Sequence, residues 1–237
     1  MKIMIFTSHP GDSIVACGGT MARYSKEGHD VIDVCATLGQ AFRPDMKEED
    51  VARIRNDERK KAAEVLGYQD VRNLGYRDTE FPYNRESVGR ITNLIREERP
   101  DIVMTYWWQN VHPDLRNLSM AVSDALILAA FYFPSRFPSW NVKKLYQFPN
   151  LNSINWEPQI FVDITEFIEI KRKSLDQFEL EDEQLRKWEG LGSKGLADLI
   201  VSQNRALGLY ASVPYAEVFR EFFAVEIKST GLKHMPF

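Results

Sequence analysis

The chain has 237 residues, is 44% hydrophobic and carries a formal net charge of -4. That is enough for one sizeable core, and the mild acidity gives no electrostatic footing on nucleic acid or an anionic membrane. No apolar run approaches the roughly 18–20 residues of a membrane span, and Cys17 and Cys35, the only cysteines, do not make a disulfide scaffold.

The opening run Lys2-Ile3-Met4-Ile5-Phe6-Thr7 reads as a strand covered on both faces. It is too short for a signal peptide and meets Ser8-His9-Pro10 at once, so a cytoplasmic protein is expected. Residues 14–28 form a helix ending at Lys26-Glu27-Gly28, and 30–36 a second strand. An amphipathic helix over 47–66 stops at Gly67, followed by a short strand at 71–74. A helix over 87–98 ends before Pro100. Residues 101–106 are another buried strand, and 117–132 an apolar helix. This alternation predicts an α/β fold: a three-layer, Rossmann-like, mostly parallel sheet with helices on both faces. Beyond about residue 133, prolines punctuate an aromatic stretch with short strands at 143–148 and 160–164. A helix over about 166–189 and a polar helical segment near 195–207 follow. Residues 1–237 read as a single domain, with a core over 1–132 and a C-terminal helical extension over 133–237 packed on it.

In open α/β sheets, ligands sit beyond the carboxyl ends of the strands. Two strand exits are rich in polar groups: Ser8-His9-Pro10-Gly11-Asp12-Ser13, and Trp107-Trp108-Gln109-Asn110-Val111-His112-Pro113-Asp114. His9, Asp12, His112 and Asp114 form a candidate convergent set, because imidazole nitrogen and carboxylate oxygen are ordinary zinc ligands. A His-Pro pair after a strand also suits a plain turn, and Asp12 suits an N-cap, so spacing alone leaves both readings open. Gly18-Gly19 is expected to bring the first helix close to the sheet. Trp107 and Trp108 suit either a substrate wall or a core contact. His29 and His234 read as surface residues.

At these residues the chain resembles the PIG-L/LmbE-like family of zinc-dependent N-deacetylases. The family's opening strand, A-H-P-D-D-E and G-G-T are similar to Ser8 to Ser13 and Gly18-Gly19-Thr20. Its H-P-D-H-R motif is similar to His112-Pro113-Asp114-Leu115-Arg116. The helix Arg55 to Gly67 with Val71 to Tyr76 resembles another family segment. Phe161 to Thr165, the helix after it, and Tyr215-Ala216-Glu217 resemble one branch's C-terminal region. The resemblance implies His9 and Asp12 as zinc ligands, and His112 and Asp114 as catalytic residues. Arg55, Gln40 and Trp108 are expected to bind substrate. It also shows three departures: Gly11 stands where the family has its general base, Leu115 where it has the third zinc ligand, and Gln40 where it has a glutamate after the second strand.

The expected function is a metal-dependent hydrolase deacetylating an N-acyl amino sugar or similar small amide. The alternatives are a hydratase resembling 4-oxalomesaconate hydratase, in a branch that lacks the first aspartate, and an inactive family member. A small-molecule substrate and a homo-oligomer, with the aromatic 131–156 stretch as a possible interface, complete the expectation. Neither nucleic acid nor membrane is expected as a partner.

Overall fold

A computed structural model describes residues 1–131, 133–151, 153–187 and 195–222. The elements in chain order are β1 (Lys2–Thr7), α1 (Asp12–Lys26), β2 (Asp30–Thr37), α2 (Glu48–Leu66), β3 (Asp70–Tyr76), α3 (Arg85–Glu98), β4 (Ile102–Tyr106) and α4 (Pro113–Ala130). They continue as β5 (Lys144–Phe148), β6 (Ile160–Asp163), α5 (Ile168–Leu175), α6 (Glu179–Arg186), α7 (Leu196–Ala211) and β7 (Ala216–Phe222). One seven-stranded sheet runs in the order β3-β2-β1-β4-β5-β7-β6. The first five strands are mutually parallel, whereas β7 pairs antiparallel with β5 and β6. The fold is thus α/β with a mostly parallel sheet, as expected. No described helix is long and apolar enough to cross a membrane.

Burial explains the strand patterns. Ile3 to Phe6 and Val103 to Met104 are buried because helices cover both faces of the central strands. Asp33, buried on β2, is matched by Arg59 of α2, whose Nε and Nη2 donate to its Oδ2 (3.0 Å) and its carbonyl (2.8 Å). Ser13 of α1 donates to the same carboxylate at 2.9 Å. This cluster fixes α1 and α2 on one face of the sheet.

Several expectations need correction. Helix α4 begins at Pro113 rather than 117, because Pro113 occupies the first helical position with His112 extended as its N-cap. The long helix expected over 166–189 is broken. A 3-10 turn at Thr165–Phe167 leads into α5, and Asp176 to Phe178 separate α5 from α6. The last residues of that expected helix lie outside the described residues, as does His234. Asp12 is not the N-cap of α1; Gly11 is, at φ 99°, and no side chain caps it. In the extension, the strands expected at 143–148 and 160–164 are β5 and β6, and β7, not expected, joins them in the sheet.

Gly18-Gly19 serves a different approach from the one expected. Helix α1 is broken at Cys17 (φ -140°, ψ 24°). The N–H groups of Gly19 and Thr20 donate to Glu217 of β7, at 2.8 Å each, and the Thr20 hydroxyl donates to the same carboxylate at 2.6 Å. Lys171 of α5 donates to the Val15 carbonyl (2.9 Å) and to Glu217 (2.7 Å). Both charged side chains are fully buried. A β-carbon on Gly19 would lie 2.8 Å from Ile164, and one on Gly18 3.3 Å from Lys171. The glycines therefore admit the C-terminal extension, including its sheet strand β7.

Removing one partner of a buried ion pair costs about 3–5 kcal/mol, because the other charge is left uncompensated. Urea unfolding of Lys171→Met is expected to show a loss of that order. The Lys171→Met, Glu217→Gln double variant should lose less than the sum of the two single variants.

Candidate active site

Strands β1 and β4 are parallel neighbours at the point where the strand order reverses, with β2 and β3 to one side and β5 to the other. Their carboxyl ends open a crevice between the loops that follow them. The loop after β1 carries His9, the loop after β4 carries His112, and the loop after β3 adds Asp78. Tyr106, the last residue of β4, ties the first two together. Its hydroxyl accepts the Ser8 N–H at 2.9 Å and donates to Asp12 Oδ2.

His9 is the centre of the group. Its Nδ1 lies 3.2 Å from Asp12 Oδ2, and its Nε2 lies 3.1 Å from Asp78 Oδ1 and 3.4 Å from Asp114 Oδ2. The His112 ring stands edge-on to the His9 ring, with centroids 4.9 Å apart. Asp114 is fully buried at the first turn of α4, and its two oxygens accept the N–H groups of Phe81 (3.0 Å) and Thr79 (2.7 Å). That carboxylate thereby clamps the β3 exit loop beside α4. Asn110 accepts the His112 N–H at 3.0 Å and fixes the second loop.

Burial disfavours a charged His9, yet hydrogen bonds to Asp114, Asp12 and Asp78 outweigh it and raise its pKa well above the ordinary imidazole value. His112 moves the other way. Its burial and the neighbouring His9 charge both favour the neutral ring. Asp12 and Asp78 are held below the usual carboxylate range, because His9 more than offsets their burial.

The donor set fits a divalent cation. One ligand atom from each of His9, His112 and Asp114 lies within 4.8 Å of the others. His9 Nε2 and His112 Nδ1 are both buried without a well-formed hydrogen bond, which a folded protein rarely leaves uncompensated. Three carboxylates around one imidazolium also leave the pocket net negative.

The other expected residues are placed as follows. Asp12, expected as a ligand, faces the opposite nitrogen of His9 and also accepts the His9 N–H at 3.1 Å. Arg55 is buried, donating to the carbonyls of Pro10 (3.0 Å) and Gly39 (3.4 Å) and stacking on Phe42. Gln40 is buried and accepts the Asp78 N–H at 3.3 Å. Trp108 is 43% exposed, whereas Trp107 is buried and donates to the Ile154 carbonyl. Leu115 lies in the hydrophobic core. The space beside Gly11 is filled: a β-carbon there would lie 2.9 Å from the Phe178 ring. Asp78 was missed by the sequence reading, although the strand-exit logic that found His9 and His112 applies equally to the end of β3.

Comparison with known proteins places the fold. The PIG-L (GlcNAc-PI de-N-acetylase) family model matches residues 4–126, which include both histidine loops. A diacetylchitobiose deacetylase of Thermococcus kodakarensis is 31% identical over 186 residues, covering 73% of this chain and 67% of its own length. A probable N-acetyl-alpha-D-glucosaminyl L-malate deacetylase 2 of Bacillus cereus is 28% identical, over 73% of this chain and 80% of its own. The solved N,N'-diacetylchitobiose deacetylase from Pyrococcus horikoshii superposes with a TM-score of 0.80 at 26% identity, covering 97% of this chain and 86% of that one.

Two outcomes are expected from this geometry. Gly11→Asp should destabilise the fold. A side chain at positive φ costs about 1–3 kcal/mol, and the clash with Phe178 adds about 1–3 kcal/mol of overpacking; thermal and urea unfolding read the loss. Zinc binding to metal-free protein should release a proton and strengthen as pH rises, because His9 must give up its proton to bind. Calorimetry in buffers of different ionisation enthalpy measures that proton. The sign for stability follows from the raised His9 pKa. Its contribution to metal-free stability is complete below the unfolded value of 6.5 and is lost as pH rises through the higher folded value.

Proposed function

The chain belongs to the PIG-L family of de-N-acetylases, and from that premise we propose that it is a hydrolase removing the acetyl group from an N-acetylated amino sugar. The observation that carries this reading is the clustering of His9, His112 and Asp114 at the strand-order reversal, with His112 Nδ1 buried and without a hydrogen-bond partner. The acetamido sugars named for the relatives support the substrate class.

We assign a zinc ion to His9, His112 and Asp114. When bound, it supplies Lewis acidity toward the acyl oxygen. The chain's own residues do the remainder. His112 is held neutral by burial and by His9, the form in which imidazole binds a metal. Asp12 steers His9 through Nδ1, and Tyr106 steers Asp12, the outer-shell support that typical metal histidines need. Asp114, immobilised by two backbone N–H groups, offers a ligand oxygen that needs no reorganisation. Asp78 adds negative charge beside His9 and favours cation capture.

Zinc-loaded protein is expected to release acetate from N,N'-diacetylchitobiose, and dialysis against chelator should abolish the release until zinc is restored. His112→Ala should bind zinc more weakly by at least the 10–100-fold that loss of an outer-shell partner costs, roughly. Zinc-loaded protein that leaves N-acetyl sugars intact but hydrates an unsaturated dicarboxylate would overturn this reading in favour of a hydratase.

A further inference from the structure

We infer that a cavity bounded by α1, α6, α7 and β7 is a binding site for a neutral amphiphile, a small molecule with an apolar body and one hydroxyl or amide N–H group. The cavity is separate from the histidine cluster, and the inference holds whatever reaction that cluster performs. It measures about 230 Å³, and none of His9, His112 and Asp114 lines it. It touches the cluster through Asp12, a lining residue whose Oδ2 lies 3.2 Å from His9 Nδ1.

The sequence of α7 explains why this space is largely apolar. Leu196, Leu199, Ile200, Gln203, Asn204 and Leu207 recur at the three- and four-residue spacing of one helix face. All six line the cavity. A helix ordinarily buries such a stripe against neighbouring side chains, whereas here the stripe borders the cavity. Val15 of α1, Leu185 of α6 and Val218 of β7 add aliphatic wall. Two lining residues, Gln203 and Leu151 of the loop after β5, are exposed to solvent and mark the mouth.

The polar groups of the lining decide what fits. Among the described residues, no lysine, arginine or histidine lines the cavity, so a bound anion would be buried without a counter-charge, at high cost. The three lining carboxylates each have a basic partner already. Asp12 has His9 at 3.2 Å, Glu181 has Arg55 at 3.6 Å and Glu217 has Lys171 at 2.7 Å. A cation therefore finds no unmatched charge either. The most buried amide of the lining is Asn204, 4% exposed. Its Nδ2 donates to the Ala216 carbonyl at 2.9 Å, and because a carbonyl can only accept, that bond fixes which way the amide is turned. Its Oδ1 is left buried without a hydrogen-bond partner among the described residues, a costly condition for a strong acceptor. A single hydroxyl or N–H on an otherwise apolar molecule answers it. Apolar walls with a few fixed polar groups are the usual make-up of a small-molecule site.

The test titrates the full chain, methyl-labelled at isoleucine, leucine and valine, with three ring compounds of similar size: cyclohexanol, cyclohexanone and cyclohexanecarboxylate. Cyclohexanol should move the methyl signals of Val15, Leu185, Leu196, Ile200 and Val218 along saturable curves and leave those of Ile91 and Ile95 on α3 in place. Cyclohexanone, which has no donor, should bind about 3–10-fold more weakly, the worth of one net hydrogen bond. Cyclohexanecarboxylate should bind more weakly than either. Asn204→Leu should bring alcohol and ketone to equal affinity, and Leu199→Trp, which fills the cavity from a partly exposed position, should abolish the saturable shifts. Absence of saturable shifts at the lining methyls of the parent chain overturns the inference. So does equal affinity of the parent for alcohol and ketone, or a carboxylate that binds as tightly as the alcohol. These three results come from the parent alone and stand even where a variant fails to fold. A folded Leu199→Trp that binds cyclohexanol as the parent does also overturns it.

Discussion

Lys171 and Glu217 lie fully buried, 2.7 Å apart, inside the break of α1, and much of the molecule is arranged around that contact. The break at Cys17 disturbs the backbone pairing of a helix packed against the central sheet. Glu217 meets the amide side of the break and Lys171 the carbonyl side. A carboxylate at the start of the second helical half also suits the partial positive charge found there. Burying two charges is expensive, so such a pair contributes more to specifying one arrangement than to net stability. Here the arrangement specified is the seating of α5 and β7 on α1. From α5 the chain turns directly through Phe178 into α6, which sets what stands over Gly11.

The site itself is governed by an imbalance of charge. His9 is surrounded by three carboxylates while its neighbour His112 is kept neutral. Two similar side chains in one pocket are thus driven to opposite protonation states, a recurring sign of functional rather than merely structural histidines. The imidazolium is a stopgap for a cation. It neutralises part of the negative charge, but leaves one nitrogen on each ring without a well-formed hydrogen bond.

The parallel core was legible in the sequence because central strands covered on both faces must be continuous apolar runs, as Lys2–Thr7 and Ile102–Tyr106 are. Once those ends were located, His9, His112 and Asp114 followed from where strands stop. What stayed hidden depends on partners distant in sequence. Asp78 follows a short strand whose residues are only partly buried, so its exit drew no attention. The break between α5 and α6 has no glycine or proline to mark it; Phe178, at the break, packs beside Gly11. The Gly18-Gly19 pair signalled a close approach correctly, but local sequence holds nothing to say that Ile164 and Lys171 are what approaches. Strand β7 begins just after Pro214 and binds through Glu217, whose amide partners on α1 lie nearly two hundred residues away.

That separation has a consequence for how the chain is made. Synthesis proceeds from the N-terminus, so α1 emerges early, yet the carboxylate that answers its amides emerges 198 residues later. The nascent parallel core must wait with its first helix incomplete, and contacts of such long sequence separation form late and slowly. A stalled or prematurely ended chain that stops before Glu217 would expose the Gly19 and Thr20 amides and leave Lys171, if made, without its counter-charge. Completion of the fold is thereby coupled to completion of β7: a chain that ends before Glu217 cannot close the break in its own first helix.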